Sequence, residues 1–102
     1  MRARGDIPYD VRMKQRLLSR LWEPLGAELA KLGLPHDRIQ RNCNGYKGVF
    51  AIVDRTTEDY WELMTLKEIA PHHYELKPNL DQCEAWQISS QTATRIAAAA
   101  SQ

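Results

Sequence analysis

The stretch "RIQRNCNGYKGVFAIVD", residues 38–54, constrains the fold more than any other part of the chain. Asn44-Gly45 is a strong short-range hairpin signal, because both residues accept the positive φ of a two-residue type I′ turn. The arm that follows, Val49 to Val53, is apolar at every position. A strand with no polar side calls for cover on both faces, so it is expected at the centre of a sheet. Gly48, between the turn and this arm, marks a bulge or the close approach of another backbone. A chain with such a hairpin needs a sheet, and the flanking segments must supply what covers it.

The upstream segment does so with helical periodicity. Between Asp10 and Leu32, Val11, Leu18, Trp22, Leu25, Leu29 and Leu32 recur at steps of three, four and seven, with Leu17 and Leu21 widening the stripe. Arg12, Lys14, Arg16 and Arg20 fall largely off that stripe, giving an amphipathic helix with a basic outer side. Pro24 interrupts the run, because it lacks an N–H and disfavours helical geometry at Glu23. Either the helix kinks there or Pro24 opens a second one. Gly33 supplies a left-handed cap, and Pro35 cannot continue the helix.

Downstream the signals compete. Thr56 with Asp59 three residues on resembles a capping signature, and Glu62, Leu63, Met64, Lys67, Glu68 and Ala70 are good helix formers. Tyr60, Trp61 and Thr65 equally suit a strand continuing a meander. The apolar residues also scatter around such a helix instead of forming a clean stripe. The helix is nonetheless favoured, so residues 57–70 are expected to be helical up to Pro71. "HHYELKP", 72–78, reads as a short strand closed by Pro78. Residues 83–100, "CEAWQISSQTATRIAAAA", permit a helix-turn-helix DNA reader whose second helix would offer Ser90, Gln91, Thr94 and Arg95 to bases. Gln87 stands where such a turn usually has glycine, Trp86 is bulky there, and Asp81 and Glu84 lie close in sequence. The expectation is instead a strand through Trp86 and Ile88, then a cap at Ser89 or Ser90, then a packing helix over 90–100. A short helix after an Asn79 cap is the other reading of residues 84–88.

Length and composition bound the class. The 102 residues suffice for a single domain with one modest core, its ends at 1–7 and 98–102 being candidates for flexibility. An apolar content of 43% with 26% charged residues is ordinary for a globular protein. No run of apolar residues reaches membrane-spanning length, and "MRARGDIPYD" lacks the apolar stretch of a secretion signal. Cys43 and Cys83 show no paired spacing, which fits reduced thiols and a cytoplasmic location.

Chemistry finds little purchase. Cys43, His36, His72, His73 and Asp37 are the raw materials of thiol catalysis, but no spacing sets a thiolate beside an imidazole. The one close ligand pair, His72-His73, would point to opposite faces of a strand, so no metal site is expected. No phosphate-binding glycine loop is present, since Gly45 and Gly48 belong to a hairpin. No enzyme activity and no cofactor are expected.

Charge carries more information. The net +1 conceals a split: residues 1–55 hold eleven Lys/Arg against six Asp/Glu, and residues 56–102 hold three against seven. A basic half can sit on phosphates or on the acidic half of a partner. The expected fold is therefore α+β, a long kinked N-terminal helix packed on a small, mostly antiparallel sheet with a C-terminal helix. Its core should draw on Leu18, Leu25, Leu29, Val49, Phe50, Ile52, Trp61, Trp86 and Ile96. The expected function is that of a small non-enzymatic, nucleic-acid-associated accessory or regulatory protein. Its contacts would come from a flexible arm with Arg2 and Arg4, from Arg12, Lys14, Arg16 and Arg20 on the helix, and from Arg38, Arg41 and Lys47 on the hairpin. The alternative is a protein-interaction or inhibitor module, self-associating or partner-binding through its complementary basic and acidic halves. No membrane partner is expected.

Overall fold

In the computed structural model, which describes residues 7–101, the fold is α+β. The N-terminal helix is kinked into α1 (Tyr9–Ser19) and α2 (Trp22–Ala30). Pro24 sits in the first turn of α2, where its missing N–H removes no helical bond. Helix α2 ends at Ala30 with Lys31 as its cap, and Gly33, three residues past Ala30, takes a φ of 69°, the left-handed value that glycine adopts without strain.

Four strands follow as a meander, β1 (Ile39–Asn44), β2 (Val49–Asp54), β3 (Asp59–Ala70) and β4 (His73–Pro78), all antiparallel in the order β1-β2-β3-β4. Two short-range expectations need correction here. The Asn44-Gly45 pair does nucleate a hairpin, but through a four-residue loop in which Gly48 takes the positive φ, at 76°. The Asn44 side chain accepts the N–H groups of Tyr46 and Lys47, each at 3.0 Å, and Gly48 N–H donates to Asn44 O at 2.7 Å. That local bonding outcompetes a two-residue turn.

The second correction is larger: residues 59–70 form β3, not a helix. Asp54 causes the reversal, since its carboxylate accepts Thr56 N–H at 3.0 Å and its carbonyl accepts Glu58 N–H at 2.6 Å. Glu58 turns the chain with a φ of 64°. The segment then pairs with the apolar β2, and pairing beats intrinsic helix propensity. The scatter of its apolar residues has a structural reason. A register shift opposite Phe50/Ala51 makes Leu63 an extra residue, so Leu63 and Met64 are consecutive yet both fully buried.

All the helices lie on one face of the sheet. Phe50, Ile52, Met64 and Leu76 share that face and join Leu18, Leu21, Leu25 and Leu29 in one core with the C-terminal helices. Val49 and Ala51 point the other way. They too are buried, at 2% and 1% exposed, so both faces of β2 are covered, and β2 is an inner strand of the sheet. Of the expected core, Trp61 alone is only half-buried; the others are buried.

The C-terminal segment is a third correction. Residues 80–85 form a short helix, α3 (Leu80–Ala85), in place of a strand through Trp86 and Ile88. Ile88 N–H reaches back to Cys83 O at 2.9 Å and Gln87 N–H to Glu84 O at 2.9 Å, while Gln87 adopts a φ of 60°. This is the usual glycine-ended helix stop, made here by glutamine. Trp86 meets Trp61 edge to face with centroids 5.9 Å apart, a contact worth about 0.5–1.5 kcal/mol beyond burial. Ser89 then caps α4 (Ser90–Ala100) by accepting Thr92 N–H at 3.1 Å. Ala98–Ala100, candidates for a flexible end, are the last turn of that helix.

Candidate interaction surfaces

Arg2 and Arg4 lie outside the described residues. The structure divides the other seven basic candidates into two groups.

Three of them are held by the fold itself. Arg38 lays its guanidinium along Asp54, with Nε to Oδ1 at 3.1 Å and Nη2 to Oδ2 at 3.0 Å. The Asp54 side chain is 5% exposed, and the Arg38 bonds hold its carboxyl down at about 2. Arg41 crosses from β1 onto α2 and donates to Trp22 O at 2.8 Å. A side chain at Gly26 would collide with that guanidinium, so the glycine makes room for it. Lys47 pairs with Glu62 and lies 5.4 Å from the centre of the Tyr60 ring. Glu62 is drawn below and Lys47 above its ordinary range by this pairing.

The remaining four sit on α1 or at its end. Arg12 and Arg16 are exposed, Lys14 is half-buried, and Arg20 donates to Ala100 O at 3.2 Å at the C-terminus of α4. That contact places a cation where the helix dipole is negative. Arg12, Arg16 and Arg20 follow one another four residues apart, so they form a row along one side of the helix with steps of about 6 Å. Charge counting along the chain missed the next member. Arg95, on the exposed side of α4, lines the same hollow as Arg20 and Pro24. Among the described residues no acid lies within ion-pair distance of Arg12, Arg16 or Arg95.

A second surface lies between α2 and β1. Leu29, Ala30, Leu34 and Ile39 floor a cavity of about 270 Å³ beside Arg41 and His36. It continues past the half-exposed Trp22 to a rim carrying Asp37, Gln40 and Arg55. Burial pushes both the Cys43 and Cys83 thiols up to about 11. Among the described residues no three of His, Cys, Asp and Glu are grouped to hold a metal ion. No described helix is long and apolar enough to cross a membrane.

No protein-family model, no curated protein and no solved structure matches the chain.

Proposed function

We propose that this domain is a non-enzymatic, nucleic-acid-associated accessory or regulatory protein that tracks phosphates with Arg12, Arg16, Arg20 and Arg95. The row of α1 arginines, extended by Arg95 and with three of its members unopposed by any described acid, carries the reading. Guanidinium groups are well suited to phosphate, because their donors form a planar fork. Arg38 and Lys47 are paired with acids and Arg41 is turned onto α2, so none of the three is assigned to this surface.

Four cations neutralise few phosphates, so binding should be weak, little dependent on sequence and steep in salt. For about four phosphate contacts the log–log salt slope on duplex DNA is about −3.6, with a dissociation constant in the ~10⁻⁴–10⁻⁶ M range of non-specific complexes. Fluorescence titration of duplex and single-stranded oligonucleotides at several salt concentrations measures both. Absence of binding at low salt, or a salt-independent signal, would refute the reading.

The mixed-charge hollow between α2 and β1 favours a second reading, a module that binds a protein. It has an apolar floor and a polar rim, the anatomy of a small interface.

A further inference from the structure

The two edges of the sheet are finished differently. On β4 the outward-facing groups are those of Tyr74, Leu76 and Pro78. Leu76 N–H is taken by the Ser101 hydroxyl at 3.1 Å, and Pro78 has no N–H to offer. That edge is closed in two of the ways by which proteins prevent strand addition.

On β1 the ladder to β2 uses Arg38 O, which accepts Arg55 N–H at 2.8 Å, and Asn44 O, which accepts Gly48 N–H at 2.7 Å. Alternation along an antiparallel strand then turns the backbone groups of Ile39, Arg41 and Cys43 outward. At the hairpin end they are capped by α1: Gln15 Nε2 donates to Cys43 O at 3.1 Å, and Gly45 N–H donates to Gln15 Oε1 at 2.8 Å. A Cβ at Gly45 would stand 2.7 Å from Val11 O, so only glycine lets the helix come this close. At the other end nothing does the same. The N–H and C=O groups of Ile39 and Arg41 have no partner among the described residues, and Gln40 and Arg41 are exposed.

We propose that the open half of β1 accepts an extended, acidic peptide segment of another protein as a fifth strand, with alternate apolar side chains entering the α2–β1 cavity. This rests on the second reading above and is independent of the phosphate surface. Strand addition takes its affinity from the main-chain ladder and its selectivity from pockets for alternate side chains. Here the ladder is Ile39 and Arg41, and the pocket is floored by Leu29, Leu34 and Ile39. Charge specifies the occupant. Arg41 and Arg55, the latter also donating to Gln40 Oε1 at 3.2 Å, flank the edge against Asp37, the one acid among the residues lining the cavity and its rim. A second copy of this chain fits poorly, because antiparallel β1 strands would bring Arg41 and Arg55 of both copies onto one short ladder. Beyond Asn42 the α1 clasp would also stop that ladder.

The test uses the full chain labelled with ¹⁵N and an end-capped peptide of about ten residues alternating glutamate with valine, at about 1 mM. The expected result is a shift of the Ile39 and Arg41 amide resonances with slowed hydrogen exchange at both. A peptide of the same sequence with N-methylated amides, which keeps the side chains and loses the ladder, should leave these resonances in place. Replacing glutamate by lysine should weaken binding about fivefold, and Arg55→Glu, an exposed substitution, should reverse that preference. Three results would overturn the proposal: no shift at Ile39 and Arg41, an equal shift with the N-methylated peptide, or sedimentation showing a dimer that already protects both amides. None of them depends on whether oligonucleotides bind.

Discussion

Asp54 shows how much a single side chain decides. Its carboxylate takes the Arg38 fork and Thr56 N–H, while its carbonyl takes Glu58 N–H, so one residue seals a charge and reverses the chain. An unfolded aspartate titrates near 3.9. With the folded value lowered to about 2, the pairing contributes fully above about pH 4 and is lost as pH falls towards 2. Thermal unfolding followed by circular dichroism from pH 7 to pH 2 should therefore drop through that window. Asp54→Asn should unfold at a lower temperature at pH 7 and show a shallower drop, Glu62 and its Lys47 partner supplying part of what remains. An equally steep drop in Asp54→Asn would sink this account. None of this was legible in the sequence, where Arg38 counts as one more surface cation. Its partner is sixteen residues away and is brought beside it only by the β1–β2 register.

At the scale of elements, what could be read depended on whether the signal was local. The kinked helix, the β2 strand, the left-handed glycine after α2 and the serine cap of α4 each rest on neighbouring residues, and each is present. Strand β3 was misread because a bulge buries Leu63 and Met64 in succession and erases the two-residue period. Leu63→Ala should cost about 2–5 kcal/mol, the range for a fully buried leucine, measured by urea unfolding. A loss below 1 kcal/mol, on the scale of an exposed leucine, would mean that Leu63 lies outside the core. Helix α3 was misread as a strand because Gln87 occupies a position normally held by glycine. Left-handed geometry costs a non-glycine residue about 1–2 kcal/mol, and glycine gives back part of that gain as unfolded-state entropy. Gln87→Gly should then stabilise by about 0.5 kcal/mol and raise Tm by about 2–4 °C. A lower Tm would show that glutamine is not strained there.

Across the whole molecule, charge sorted along the chain is not charge sorted in space. The meander lays the acidic β3 beside the basic hairpin, so Lys47 and Glu62 neutralise each other across the boundary between the halves. The C-terminal helix returns to the kink between α1 and α2, which brings Arg95 from the acidic half beside Arg20 from the basic one. Complementary halves are therefore a poor description of the folded surface, and the two accounts of nucleic-acid binding can be separated. If the lengthwise split governed it, Lys47→Gln would weaken oligonucleotide binding and Arg95→Gln would not. If the folded arginine row governs it, Arg95→Gln should act like Arg16→Gln, each lowering the salt slope by about 0.9 and weakening binding alike on all sequences. Lys47→Gln should then leave affinity within about twofold, because its ammonium is already paired with Glu62 and held at Tyr60. Measuring the three variants on one duplex from low to moderate salt decides between them. An Arg95→Gln slope equal to that of the unmodified chain would remove α4 from the surface and leave α1 to act alone.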